Sequence, residues 1–190
     1  PGGQTIRIIV PFPAGGVNDV VARQFADLLA PVLQTSIIVD NKPGAGGSMG
    51  MDQLARSAAD GHTLAFSGIS TLTLLPHVMK VAYDPMKQFS AVASTMYAPV
   101  YLLATKAFKG ENVADVLAAA KANPKGVTIA SSGYGTLGHI MIEQFTRQTG
   151  ANLVHVPYKG GSQMITDAAG GQFDLMVDNP FAPINALIAD

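Results

Sequence analysis

The strongest constraint on this chain is a pattern that recurs along it: a short β-branched run, a loop of Gly, Ser and Pro, then a stretch with helical spacing. IRIIV (6–10) leads through PFPAGGVND into VVARQFADLLAPVL, where Val20, Val21, Phe25, Leu28, Leu29 and Leu33 recur at helical intervals. SIIVD (36–40) leads through NKPGAGGS into MGMDQLARSA, and HTLAFSG (62–68) through STLT toward LLPHVM. VTIA (127–130) leads through SSGYGTLG into HIMIEQFTRQTG, LVHVPYKGG (153–161) into SQMITDAAGG, and FDLMVD (173–178) into NPFAPINALIAD. Strands alternating with helices of this length form β-α units on a mostly parallel sheet, and near-continuous apolar strands are expected where both faces are covered. The expected fold class is α/β.

The segment SAVASTMYAPVYLLATKAF (90–108) breaks the pattern. It carries two extended-looking runs with Pro99 inside them and no helix between, as expected of a strand passing from one structural unit to the next. Length agrees with two modest domains or one large one. A chain of 190 residues can bury roughly 70% of the surface its unfolded form exposes, so a disulfide or metal staple is not required.

Composition narrows the function classes. Charged residues make up 13% of the chain against a usual fraction of about 25%, so much of it lies inside or lines a dry cleft. Twelve basic and thirteen acidic residues leave a net charge of −1, with no basic field to hold a nucleic acid. Cysteine is absent, which removes disulfides and thiol catalysis without fixing a compartment. No serine stands in a G-x-S-x-G elbow, and Lys159-Gly160-Gly161-Ser162 only scrambles a phosphate-binding P-loop. His62, His77, His139 and His155 are scattered, none paired at metal-ligand spacing, and packing or a local hydrogen bond suits each.

One motif invites a cofactor reading. Gly133, Gly135 and Gly138 spell G-x-G-x-x-G between a strand and a helix, the dinucleotide fingerprint. That site also needs an acid at the end of the next strand for the ribose hydroxyls, and LVHVPYKGG offers Tyr158 and Lys159 there. A nicotinamide- or flavin-dependent enzyme is thus the alternative reading, weakened at its most discriminating position. What the loops share is exposed backbone N–H at helix starts, where the positive end of the macrodipole accepts a carboxylate without an arginine. Arg23, Arg56 and Arg147 fall within helices, and Arg7 lies in a strand. Micromolar binding needs about 8 kcal/mol and a charge-assisted hydrogen bond contributes about 1.5–3 kcal/mol, so several donors must converge. Such loops also serve simply as tight turns and caps: Asn18 is a candidate N-cap and Asp19 a first-turn acid.

In order along the chain, IRIIVPFPAGGVNDVVAR, VDNKPGAGGSMG, AADGHTL, SSGYGTLGH and LVHVPYKGG resemble the Bug receptors, the TctC-like solute-binding proteins of tripartite tricarboxylate transporters. The resemblance implies a two-lobed periplasmic binding protein of the Venus-flytrap, type II-like kind, each lobe a mostly parallel sheet flanked by helices. It implies ligand capture by closure of the lobes, no catalysis and no cofactor or metal. The ligand would be a small carboxylate: a di- or tricarboxylate, an acidic amino acid or an aromatic acid. The partner would be the membrane permease, or a sensor protein if the receptor feeds signalling, and a monomer is expected. Lobe 1 would occupy residues 1–98 and lobe 2 residues 99–190. Family members run on and return to the first lobe, so the chain is expected to be incomplete at its C-terminus, with its export signal already removed.

The resemblance also carries site residues. Phe12, Pro13, Ala14, Gly15 and Gly16 would present backbone groups from lobe 1, with Ser67 and Gly68 forming the adjoining wall. Ser131, Ser132, Gly135 and Thr136 would grip a carboxylate with hydroxyls and helix-start amides. His139 fits the family pattern either as a ligand contact or as support for its loop, and Lys159 either steers anions or is simply solvated. Asp178 and Asn179 lie at another strand end. A carboxylate at Asp178 beside a bound carboxylate would favour a ligand with a cationic or hydroxyl-bearing end.

Overall fold

The computed structural model describes residues 3–179; residues 180–190, PFAPINALIAD, which hold the segment expected to follow the last strand, lie outside the described residues. The chain divides into two compact units between Ala93 and Ser94.

In the first unit, β1 (Ile6–Val10), β2 (Ile37–Asn41) and β3 (Thr63–Ala65) form a parallel sheet in the order β2-β1-β3, with Ile8 opposite Val39 and Leu64. The crossovers are α1 (Val17–Leu33) and α2 (Ser48–Ala55), followed by the short α3 (Ser70–Thr73) and α4 (Leu75–Val78). Alternation along β1 sends Ile8 and Val10 to one face, where they pack with Ala22 of α1, Ile37 and Val39. Ile9 is fully buried on the opposite face, where α2 lies against β1. The central strand is therefore covered on both sides, the usual condition for parallel strands.

The face that α1 buries differs from its apolar stripe. Its buried residues are Asp19, Ala22 and Ala26, whereas Leu28 and Val32 are 71% and 73% exposed. Small side chains let the helix backbone approach the sheet, and periodicity read from hydrophobicity alone overlooks size. Asn18 does not cap the helix: Gly16 occupies the N-cap position, and no side chain bonds there.

The second unit holds β4 (Tyr101–Ala104), β5 (Val127–Ser131), β6 (Leu153–Pro157) and β7 (Leu175–Asp178) in the order β4-β7-β5-β6. Strands β5, β6 and β7 are parallel, whereas β4 runs antiparallel on β7. Around them lie α5 (Val113–Ala122), α6 (Leu137–Thr149) and α7 (Gly161–Gly170). Val127 and Ile129 of β5 and Leu175 and Val177 of β7 face α5 and α6, through Val116, Ala120 and Ile142. Ala130 and Met176 point the other way, onto Met164 and Ala168 of α7 and onto Phe173.

Two local readings change. The expected pair of extended runs over 90–108 reduces to β4 alone, since residues 90–100 form no regular element. Helix α5 was not anticipated, although Asn112 and Asp115 form a reciprocal capping box at its start and its interior is rich in alanine.

Candidate functional site

In the first unit three strand-end loops meet. The loop after β1 runs from Pro11 to Gly16, with Ala14 and Gly15 exposed and Phe12 and Pro13 half-buried. Its shape is fixed from two sides. The Asp19 carboxylate accepts the Gly15 amide at 2.9 Å and the Asn41 side-chain amide at 2.9 Å. Asn41 also donates to the Phe12 carbonyl at 3.1 Å, and Arg23 forms an ion pair with Asp19 at 3.0 Å. Burial pushes the Asp19 pKa up, but hydrogen bonds from Arg23, Gly15 and Asn41 outweigh it, so the carboxyl sits below its ordinary value.

The loop after β2 supplies the floor. Gly44, Ala45, Gly46 and Gly47 all take positive φ, and a Cβ on Gly47 would sit 2.9 Å from Thr71 Cγ2 and 3.3 Å from Phe12 Cζ. Only glycine serves at Gly47, and that is the physical content of the N-x-P-G-A-G-G spelling. Thr71 is fully buried; its hydroxyl lies 3.0 Å from Ser67 Oγ and donates to the Gly68 carbonyl at 3.0 Å. The structure thus brings Phe12, Ser67 and Gly68 into one neighbourhood through Gly47 and Thr71. Asp19, Asn41, Gly47 and Thr71 lie outside the expected site residues; Asp19, Asn41 and Gly47 sit within the glycine-rich motifs, whereas Thr71 carries no sequence signal.

In the second unit the loop after β5 is knitted internally. Ser131 is fully buried: its hydroxyl accepts the Gly133 amide at 3.2 Å and lies 2.7 Å from His155 Nε2 and 3.3 Å from the Gly133 carbonyl. Thr136 caps α6, donating to the Gly133 carbonyl at 2.7 Å and accepting the His139 amide at 3.4 Å. The Gly135 amide donates to His139 Nδ1 at 3.1 Å. The His139 ring is stacked on His155 at 4.6 Å and 14°, and Tyr134 meets both rings edge-on at 5.1 and 5.3 Å. His155 sits below its ordinary pKa because burial, then repulsion from His139, disfavour its charge more than Glu143 supports it.

This network sorts the expected site residues. Among the described residues, the Ser132 hydroxyl has no protein partner, and no acceptor engages the amides of Leu137 and Gly138 in the first turn of α6. The Tyr134 amide likewise has no partner among the described residues. Ser131, Thr136 and the Gly135 amide are engaged within the loop. The glycines of G-x-G-x-x-G serve packing: a Cβ on Gly133 would lie 2.8 Å from the Tyr158 carbonyl, and one on Gly138 would lie 2.9 Å from that of Val177. In the dinucleotide fingerprint the third glycine serves the same close helix–strand packing, so the absent ribose acid, rather than these contacts, separates the two readings.

At the end of β7, Asp178 is buried and its carboxylate accepts the Asn179 amide at 2.8 Å. Burial pushes its pKa up to about 6, with the Asn179 amide pulling the other way. The Asn179 side chain donates to the carbonyls of Ala98 and Pro99 at 3.1 and 2.8 Å, tying β7 to the chain that enters β4. Tyr158 donates to Asp167 at 2.7 Å, and Lys159 is exposed. Among the described residues there is no cluster of three or more His, Cys, Asp or Glu that could hold a metal, and no helix is long and apolar enough to cross a membrane.

Two α/β units with glycine-rich loops at the carboxyl ends of parallel strands have the fold of a periplasmic binding protein. The chain superposes with a TM-score of 0.88 on Rpa4515 of R. palustris solved with adipate, at 31% identity, covering 92% of this chain and 59% of that one. It is likewise similar to the periplasmic binding protein BugD, at 32% identity and a TM-score of 0.85 over 92% of this chain and 58% of that one. Residues 21–187 match the tripartite tricarboxylate transporter family receptor model, and the chain belongs to that family. Protein BugT of Bordetella pertussis is 35% identical over 179 residues, 92% of this chain and 54% of BugT. The chain thus spans a little over half the length of the relatives it matches.

Proposed function

We infer that this chain is the ligand-binding portion of a periplasmic receptor that captures a small carboxylate and delivers it to the permease of a tripartite tricarboxylate transporter. We take lobe 1 as residues 1–98 and lobe 2 as residues 99–190. The observation that carries the reading is the loop after β5, where, among the described residues, the Ser132 hydroxyl and the Leu137 and Gly138 amides have no partner beside a network that engages Ser131, the Gly133 and Gly135 amides and Thr136. Hydrogen-bond donors fixed at a helix start suit a carboxylate and need no reorganisation to bind it. Family membership and the similarity to an adipate-bound protein support a dicarboxylate as ligand. In lobe 1, Ala14 and Gly15 would offer backbone groups from a loop held by Asp19 and Asn41. The role is binding rather than catalysis.

Asp178 would tune the choice of ligand. A buried carboxylate with one backbone partner disfavours a second carboxylate beside it and welcomes an amine or hydroxyl. A thermal-shift screen of C4 to C6 dicarboxylates, with and without amino or hydroxyl substituents, tests both statements. Stabilisation by at least one of these acids is expected, and none at any concentration would overturn the receptor reading. Native mass spectrometry of the purified protein would show a co-purified acid directly.

A further inference from the structure

The two candidate loops are built on one plan with one chemical difference. In each, a glycine with positive φ (Gly15, +81°; Gly135, +74°) precedes an extended N-cap residue, and its amide donates to the side chain four residues on. The acceptor is a carboxylate at Asp19 and an imidazole at His139. A carboxylate with a lowered pKa remains an acceptor well into acid. An imidazole nitrogen accepts only while it is unprotonated.

Of the two imidazoles beside the second loop, His139 is fixed as an acceptor by a backbone amide. Since the Gly135 amide points its hydrogen at His139 Nδ1, that nitrogen carries the lone pair and the ring is the Nε2–H tautomer. The Ser131 hydroxyl accepts from the Gly133 amide and lies 2.7 Å from His155 Nε2 and 3.3 Å from the Gly133 carbonyl, so it can meet that imidazole as donor or as acceptor. Protonating His155 can be absorbed, because a hydroxyl rotates and becomes the acceptor. Protonating His139 at Nδ1 cannot, because the Gly135 amide is fixed in the turn and two donors would then face each other. Stacking at 4.6 Å and 14° further opposes charge on both rings together. The groups facing His139 are Glu143 one turn on in α6 (3.7 Å from Nε2), His155 on β6 and Tyr134 in the loop. On β7 the nearest acid is Asp178, one residue past Val177, the register partner of Ser131.

We propose that His139 is the positioning residue of loop 131–136, holding Gly135 through an unprotonated Nδ1, so that acid releases this loop while the Asp19-held loop keeps its shape. The effect on ligand binding rests on the receptor reading above; the behaviour of the loop does not.

The test is ligand-free. Nitrogen-15 NMR of the imidazoles reads the tautomer, and hydrogen exchange reads the Gly135 and Gly15 amides between about pH 7.5 and pH 5. His139 is expected as the Nε2–H tautomer at neutral pH, and Gly135 loses protection at least about tenfold on acidification, after correction for intrinsic exchange, while Gly15 does not. His139→Asn, which offers a non-titrating acceptor near the Nδ1 position, restores protection lost in His139→Ala and removes its pH dependence. A neutral His139 protonated at Nδ1, or Gly135 protection that does not change with pH, would overturn the proposal. With adipate as probe, affinity falls more steeply with acid in the wild type than in His139→Asn, the acid's own protonation being common to both. Equal slopes contradict the link between loop and binding, whereas no adipate binding to either protein counts against the receptor reading alone.

Discussion

Asp19 Oδ2 accepts the Gly15 amide at 2.9 Å, and through its other oxygen the same carboxylate gathers Asn41 and Arg23. One buried acid thereby fixes the loop after β1 to the end of β2 and to its own helix. Asp19→Ala is expected to destabilise the protein by about 2 kcal/mol, the usual scale for removing a charged hydrogen-bonding partner. Denaturant unfolding would measure it. Because the folded pKa lies below the unfolded one, the stability Asp19 contributes is present above the ordinary Asp value of 3.8 and is lost as pH falls through the folded value. The difference between wild type and Asp19→Ala should therefore shrink in acid.

Asp178 has the opposite sign. Its pKa rises from 3.8 to about 6 on folding, so its contribution to stability is full below 3.8 and declines as pH rises through 6. Asp178→Asn should remove that decline and leave the protein more stable than wild type at neutral pH by about 2–3 kcal/mol, the free energy of such a shift. Unfolding curves at several pH values between 4 and 8 check it; a neutral-pH loss of stability in Asp178→Asn would contradict the burial argument.

Thr136 caps α6 while closing the turn onto Gly133. Thr136→Val keeps the shape and deletes both bonds, and should cost about 1 kcal/mol, with Thr136→Ser recovering most of it. Equilibrium unfolding gives the cost, and hydrogen exchange at the His139 amide shows whether the first turn frays.

The α/β class and the positions of the described glycine-rich strand-end loops were legible in the chain because strand, glycine loop and helix recur with their own periods. The commitments of individual polar groups were not. Ser131 and Ser132 read alike in sequence, yet one hydroxyl is buried against His155 and the other has no partner among the described residues. His155 is a single histidine in a strand, and only the β5–β6 register, which sets Ile129 opposite it, brings it beside Ser131. The apolar stripe of α1 predicted the helix but not its buried face, since Ala22 and Ala26 pack closest to the sheet. Helix α5 carried its own signal in Asn112 and Asp115, a capping box ahead of an alanine-rich run.

The central claim is that the loop after β5 holds a small carboxylate through the groups its own network leaves free. Titration calorimetry of wild type and Ser132→Ala with adipate and its C4 and C5 homologues tests it most directly. The account predicts one-to-one binding of at least one of these acids. In Ser132→Ala that affinity should fall roughly tenfold, the scale of one charge-assisted hydrogen bond, with unfolding unchanged. Binding that Ser132→Ala leaves intact would contradict it.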